Sequence, residues 1–176
     1  MKTLPYADDL YLIKNVYSED FCKDLIAECE RNNGWCSAEG DHYPGQEIRV
    51  KTLSEYFYSE ILRGYEILRM AADGLWAPNQ LFGLRDAFVC KYTMDSQRSL
   101  SLHNDHSLVS ASVKLNEDYT GGQLSFPRQN ITNSGTELGD MLIWPGQVTH
   151  PHESLNLTSG SKYSLTFWTR RSPWDN

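Results

Sequence analysis

Hydrophobic and polar positions change their period near Pro78. Before it, the apolar run Leu10 to Val16 predicts a strand. Ser18 stands where an N-cap belongs, with Glu19 and Asp20 in the first turn, where the helix dipole favours acids. Phe21, Leu25 and Cys29 recur at i, i+4 and i+8 beside Cys22 and Ile26, which predicts an amphipathic helix to about Arg31. Asn32-Asn33-Gly34 stops it. Trp35 to Gln46 is polar, contains Pro44 and reads as a mobile loop. Ile48 to Thr52 predicts a short strand. Ser54 then opens a longer helix with Phe57, Ile61, Leu62, Tyr65, Leu68, Met70 and Ala72 on its apolar face, closed by Asp73-Gly74.

After Pro78 the runs are short and separated by Gly, Pro and Asn turns: 87–92, 99–103, 107–115, 122–126, 140–144 and 162–169. Period two is clear in one of them, where Leu108, Ser110, Ser112 and Lys114 alternate with Val109, Ala111, Val113 and Leu115. Five or more such strands predict a sandwich or jelly roll. The reading is one α+β domain over 1–176, with helical support at about 1–80 and a β-barrel at about 81–172.

Composition narrows the function. A chain of 176 residues with 40% hydrophobic and 22% charged residues suits one globular domain that needs no metal or disulfide to fold. The net charge of −7 counts against nucleic acid as a partner but allows a basic peptide. Cys22, Cys29, Cys36 and Cys90 form no C-x-x-C pair, and Cys22 and Cys29 would lie about 10 Å apart on one helix face, too far to bridge. Reduced thiols favour a reducing compartment. The first residues lack the apolar core of a secretory signal, and no apolar run is long enough to span a membrane. The expectation is a cytoplasmic protein, with the sequons at Asn130 and Asn156 fortuitous.

Four of the five histidines fall in two tight groups, His103-Asn104-Asp105-His106 and His150-Pro151-His152. On a strand, residues i and i+2 share a face, so His103 and Asp105 present an imidazole and a carboxylate side by side. A histidine from a distant strand would complete a two-histidine, one-carboxylate triad with open metal positions, the arrangement of non-heme Fe(II) oxygenases. A His-x-Asp triplet alone arises often by chance. Here a histidine follows 49 residues later and Lys162 ten after that, at the start of an apolar strand. A lysine inside a barrel needs a partner, and a metal-bound dicarboxylate would serve. A simple cupin-like metal module would have no need of it.

The chain resembles the Fe(II)/2-oxoglutarate-dependent peptidyl hydroxylases, the procollagen lysyl and prolyl 4-hydroxylase group, over about Phe88 to Trp168. The matching pieces are Tyr92 eleven before His103, the His103-Asn104-Asp105 triplet, Asp118 to Gly122 leading into Leu124-Ser125-Phe126, Pro145 to Glu153, and Gly160-Ser161-Lys162-Tyr163. The resemblance implies a double-stranded β-helix. It implies that His103, Asp105 and His152 hold Fe(II), that Lys162 pairs with the distal carboxylate of 2-oxoglutarate, that Tyr92 donates to that carboxylate, and that Ser164 supports Lys162 from the same strand face. It favours His152 over His150, because the family's third ligand stands ten before the basic residue. It implies hydroxylation of a prolyl or lysyl residue of a peptide or protein using O2, with release of succinate and CO2, and ascorbate as a helper. Lysyl hydroxylases usually carry arginine at the position of Lys162 and collagen prolyl hydroxylases lysine, so the target residue stays open. A free amino acid or small metabolite is the alternative substrate. His150 and His106 read as neighbours of the site, His42 as solvent-exposed, Asp140 as a turn cap, Gly121-Gly122 as a turn, and Trp144 and Trp168 as core. Trp35, Tyr43 and Arg49 are placed for a substrate groove, with residues 35–47 as a lid.

Overall fold

The computed structural model describes residues 2–36, 45–76 and 81–175. His42, Tyr43 and most of the expected lid lie outside them. Strands β1 (Thr3–Ala7) and β2 (Leu10–Ile13) form a hairpin, followed by α1 (Glu19–Asn32). The Ser18 hydroxyl accepts from the Phe21 N–H at 3.2 Å, as the capping pattern requires, and Asn33 closes the helix in the left-handed conformation. Strand β3 (Gln46–Arg49) and a 3-10 turn at Val50–Thr52 lead into α2 (Glu55–Leu75). That helix buries Phe57, Ile61, Gly64, Tyr65, Leu68, Ala71 and Ala72. Met70, expected on the apolar face, is 62% exposed, because it lies two positions from Leu68 and off the stripe. Gly64 is required by a close approach: a Cβ there would meet the Tyr17 hydroxyl at 1.9 Å.

The remaining strands are β4 (Leu84–Thr93), β5 (Leu100–His103), β6 (Val109–Lys114), β7 (Tyr119–Gly121), β8 (Leu124–Phe126), β9 (Ile131–Thr132), β10 (Met141–Pro145), β11 (His152–Ser154) and β12 (Leu157–Thr169). The large sheet runs β1-β2-β10-β6-β12-β4-β3, with β7 also on β12, and the small sheet runs β5-β11-β8-β9. Every pairing is antiparallel. The N-terminal part is thus more than helical support, since β1, β2 and β3 extend both edges of the large sheet.

The large sheet has two buried faces. Val109, Ala111, Val113, Ile143, Leu165 and Phe167 pack in one cluster with Phe21, Leu25, Ile61 and Leu68 of the two helices. On the other face Leu10, Leu12, Leu142 and Trp144 meet Phe126 of the small sheet. The space between the two sheets is the interior of a jelly roll, and it holds a cavity of about 280 Å³.

Candidate metal centre and its cavity

Antiparallel pairing sets His152 of β11 directly opposite His103 of β5. Their rings lie 4.4 Å apart. Asp105, just beyond β5, is fixed by its N–H donating to the Gly146 carbonyl at 2.9 Å. Its carboxylate then sits 3.7 Å from His103 Nε2 and 3.5 Å from His152 Nε2. One ligand atom from each of the three residues falls within 4.8 Å of the others.

Both rings are oriented for an ion. His103 Nδ1 lies 2.7 Å from the Ser101 carbonyl and His152 Nδ1 3.0 Å from the His150 carbonyl. A carbonyl only accepts, so each Nδ1 carries the proton and each Nε2 turns its lone pair inward. Burial holds the His152 pKa below the usual imidazole range, against the raising effect of Asp105, which keeps the ring neutral as a ligand must be. Asp105 Oδ2 is buried and has no hydrogen-bond partner among the described residues. A buried carboxylate oxygen without a donor is costly, and a cation satisfies it. Two imidazoles, one carboxylate and the orphaned oxygen fit Fe(II).

Lys162 enters the same cavity from β12. It is 5% exposed, and its ammonium donates to the Gly122 carbonyl at 2.6 Å and the Ser154 hydroxyl at 2.8 Å. The ammonium lies 4.5 Å from the Tyr92 ring centroid. No ion pair to a carboxylate is formed by Lys162 among the described residues, and burial lowers its pKa to about 8. The Tyr92 phenol, buried beside it, is held well above its ordinary pKa by desolvation. This end of the cavity is built to receive an anion.

The residues expected at the site divide cleanly. His103, Asp105, His152, Lys162, Tyr92 and Ser164 all line the one cavity. Ser164 lines it without a hydrogen bond to Lys162; the hydroxyl that reaches the ammonium belongs to Ser154. Ser154 and the Gly122 carbonyl are the contacts that sequence reasoning missed. The signal was available for Ser154, which stands two residues after His152 and so on the same strand face. Gly122 has φ +67, a conformation favouring glycine, and this aims its carbonyl at Lys162.

His150 is buried with Nε2 2.8 Å from the Asp8 carbonyl and Nδ1 2.8 Å from the Thr149 hydroxyl, so both ring nitrogens are taken. His106 is exposed, with Nδ1 3.5 Å from Arg171. Asp140 binds Lys14 at 2.8 Å and accepts from the Asn15 and Glu137 N–H groups, as a turn cap does. Trp144 packs edge-on to His152 at 5.1 Å and belongs to the core as well as the cavity lining, whereas Trp168, expected in the core, is half-buried, lines the cavity and joins neither apolar cluster. Trp35 stacks near Tyr163 under Lys91, and Arg49 lies over Phe88.

Residues 87–170 match the 2OG-Fe(II) oxygenase superfamily. The chain is 32% identical over 174 residues to procollagen-lysine,2-oxoglutarate 5-dioxygenase of Drosophila melanogaster, covering 89% of this chain and 23% of that protein. It thus spans about a quarter of the length of this curated relative. Among solved structures, a prolyl-4-hydroxylase of Pseudomonas putida superposes with a TM-score of 0.71 at 24% identity, covering 93% of each chain. A prolyl hydroxylase of Trichoplax adhaerens, in complex with a hypoxia inducible factor peptide, gives 0.71 at 15% identity, covering 93% of this chain and 84% of that one. The fold is therefore the jelly roll of the 2-oxoglutarate oxygenases.

Proposed function

We propose, from the premise that this chain's barrel belongs to the 2OG-Fe(II) oxygenase superfamily, that the protein is an Fe(II)- and 2-oxoglutarate-dependent dioxygenase hydroxylating a prolyl or lysyl residue of a peptide. One observation carries the reading: the His103, Asp105 and His152 ligand set and the buried, carboxylate-free Lys162 line a single cavity. Iron bound there with 2-oxoglutarate and O2 supplies the oxidising power for C–H hydroxylation, with succinate and CO2 as co-products.

The chain's own residues do the rest. His103 Nε2, His152 Nε2 and Asp105 would hold the ion, and three protein ligands would be too few to fill it, which allows a co-substrate to bind there. Lys162 holds the distal carboxylate of 2-oxoglutarate by charge and by its donors, with Tyr92 beside it. Gly122 and Ser154 keep the ammonium aimed into the cavity. The aromatic lining of Phe88, Trp144 and Trp168 excludes water from the reacting centre. The matching relatives act on procollagen or hold a peptide, which supports a peptide over a free amino acid. The net charge disfavours nucleic acid. Ascorbate would keep the iron reduced, and four free thiols suit a cytoplasmic setting.

The test is succinate formation from 2-oxoglutarate by the Fe(II)-loaded protein over a peptide library, with mass spectrometry of the peptides. Coupled succinate release and a gain of one oxygen on a peptide are expected. Absence of both, with metal and 2-oxoglutarate shown to bind, defeats the reading.

A further inference from the structure

Beyond the metal ligands, one wall of the cavity is aromatic. Phe88 of β4 and Trp168 of β12 line it, and their rings meet edge to face with centroids 4.9 Å apart. Each ring already carries a guanidinium, Arg49 Cζ 4.8 Å from the Phe88 centroid and Arg85 Cζ 5.8 Å from that of Trp168. A cation in place over a ring weakens the attraction that ring offers to a second one.

The charges point the same way. Among the described residues lining the cavity, the carboxylates are Glu47 and Asp105 and the ammonium groups are Lys114 and Lys162. Asp105 belongs to the metal cluster. Glu47 pairs with Arg49 at 3.3 Å, and Arg49 also binds Asp86. An arriving ammonium would therefore find no carboxylate without a cation on it, and would approach a divalent metal. Hydrogen bonding adds a third indication. A prolyl residue brings no N–H that the wall would have to satisfy, whereas a lysyl residue brings a backbone donor and three ammonium donors.

We infer that this wall selects a prolyl over a lysyl residue as the target, even though the fruit-fly relative is named for lysine. The inference rests on the oxygenase reading above and narrows it. The test uses peptides with randomised flanks free of proline and lysine, carrying proline, lysine or norleucine at the centre. Norleucine keeps the length of the lysine chain without its charge. Binding is measured by calorimetry on the full chain loaded with Mn(II) and 2-oxoglutarate without oxygen, and turnover by mass spectrometry after loading with Fe(II). Proline peptides should bind best, lysine peptides about 10-fold more weakly than norleucine ones (about 1.4 kcal/mol), and the added oxygen should fall on proline. Arg49→Gln, which takes the guanidinium off the Phe88 ring, should narrow the gap between lysine and norleucine. Lysine binding as tightly as norleucine, a gap unmoved by Arg49→Gln, or lysine hydroxylated at least as fast as proline overturns the inference. If the binding order holds but no peptide yields succinate, selection of proline stands and the oxygenase reading fails.

Discussion

Lys162 is a charged group placed where charge is expensive, and its behaviour with pH follows. Desolvation lowers its pKa from 10.5 to about 8, a difference worth about 3 kcal/mol. Its neighbours do not titrate in that window, because burial pushes the Cys90 thiol up to about 12 and the Tyr92 phenol well above its usual value. Between about pH 8 and 10.5 the unfolded chain holds the proton and the folded one releases it, so the ligand-free protein gains stability as pH rises through this range. Where the ammonium holds 2-oxoglutarate, as proposed above, its affinity should fall above about pH 8, approaching tenfold per pH unit. Lys162→Arg should flatten that profile, and Lys162→Ala should weaken binding on the order of 100-fold with metal affinity nearly unchanged. Calorimetric titration of the Mn(II)-loaded protein from pH 7 to 9.5 checks all three, and a flat wild-type profile would refute the assignment. The two C-terminal histidines separate in the same way. His152→Ala should abolish metal binding, whereas His150→Ala should spare it and cost about 1–2 kcal/mol of stability through the lost bond to Asp8. The candidate ligands were legible in the sequence through the His103-x-Asp105 spacing and, for His152, through the resemblance's ten-residue offset to Lys162, although Asp105 lies just beyond the strand that was expected to carry it. The Gly122 carbonyl was not, because no side chain announces it.

Strand β6 shows what an alternating pattern does and does not reveal. Val109, Ala111 and Val113 face the helices, as their apolar character implies. Ser110 and Ser112 face inward as well, with Ser110 fully buried, toward the interior of the barrel and not toward solvent. Period two therefore identified the strand without revealing that its serine face also lies inside the protein. Both long helices and the six main strand regions could be read from periodicity and capping residues. Strands β1, β7, β9 and β11 could not, because two to five residues hold too little pattern, and β11 in addition pairs only with distant partners, His103 and Ser125 among them. Where α2 meets the chain before α1, the fit is close enough to test. Gly64→Ala should destabilise the protein by about 1–3 kcal/mol, because its methyl would displace the Tyr17 ring from its stack on Phe21. Thermal unfolding measures this. A stability equal to wild type would mean that Tyr17 moves aside at no cost.

Across the whole molecule, the ion would tie together segments that the chain itself joins only weakly. The small sheet that carries His103 and His152 has strands of two to four residues. Such strands contribute few ladder bonds, and β11 breaks register between His152 and Ser154. The large sheet, by contrast, is braced by thirteen residues of β12 and by both helices. Metal binding should therefore stabilise mainly the weaker sheet, drawing β5, β11 and the turn around Gly146 onto one centre and giving the orphaned Asp105 oxygen a partner. A free ion concentration 100-fold above Kd adds about 2.7 kcal/mol. At about 2–4 °C per kcal/mol for a chain of this size, Tm should rise by about 5–10 °C. A chelator should reverse the rise, and His103→Ala should lack it. Hydrogen exchange should show the added protection concentrated in 100–105 and 152–154, with the helices little changed. A Tm that ignores the metal, or one that rises equally in His103→Ala, would mean that the three ligands do not act together.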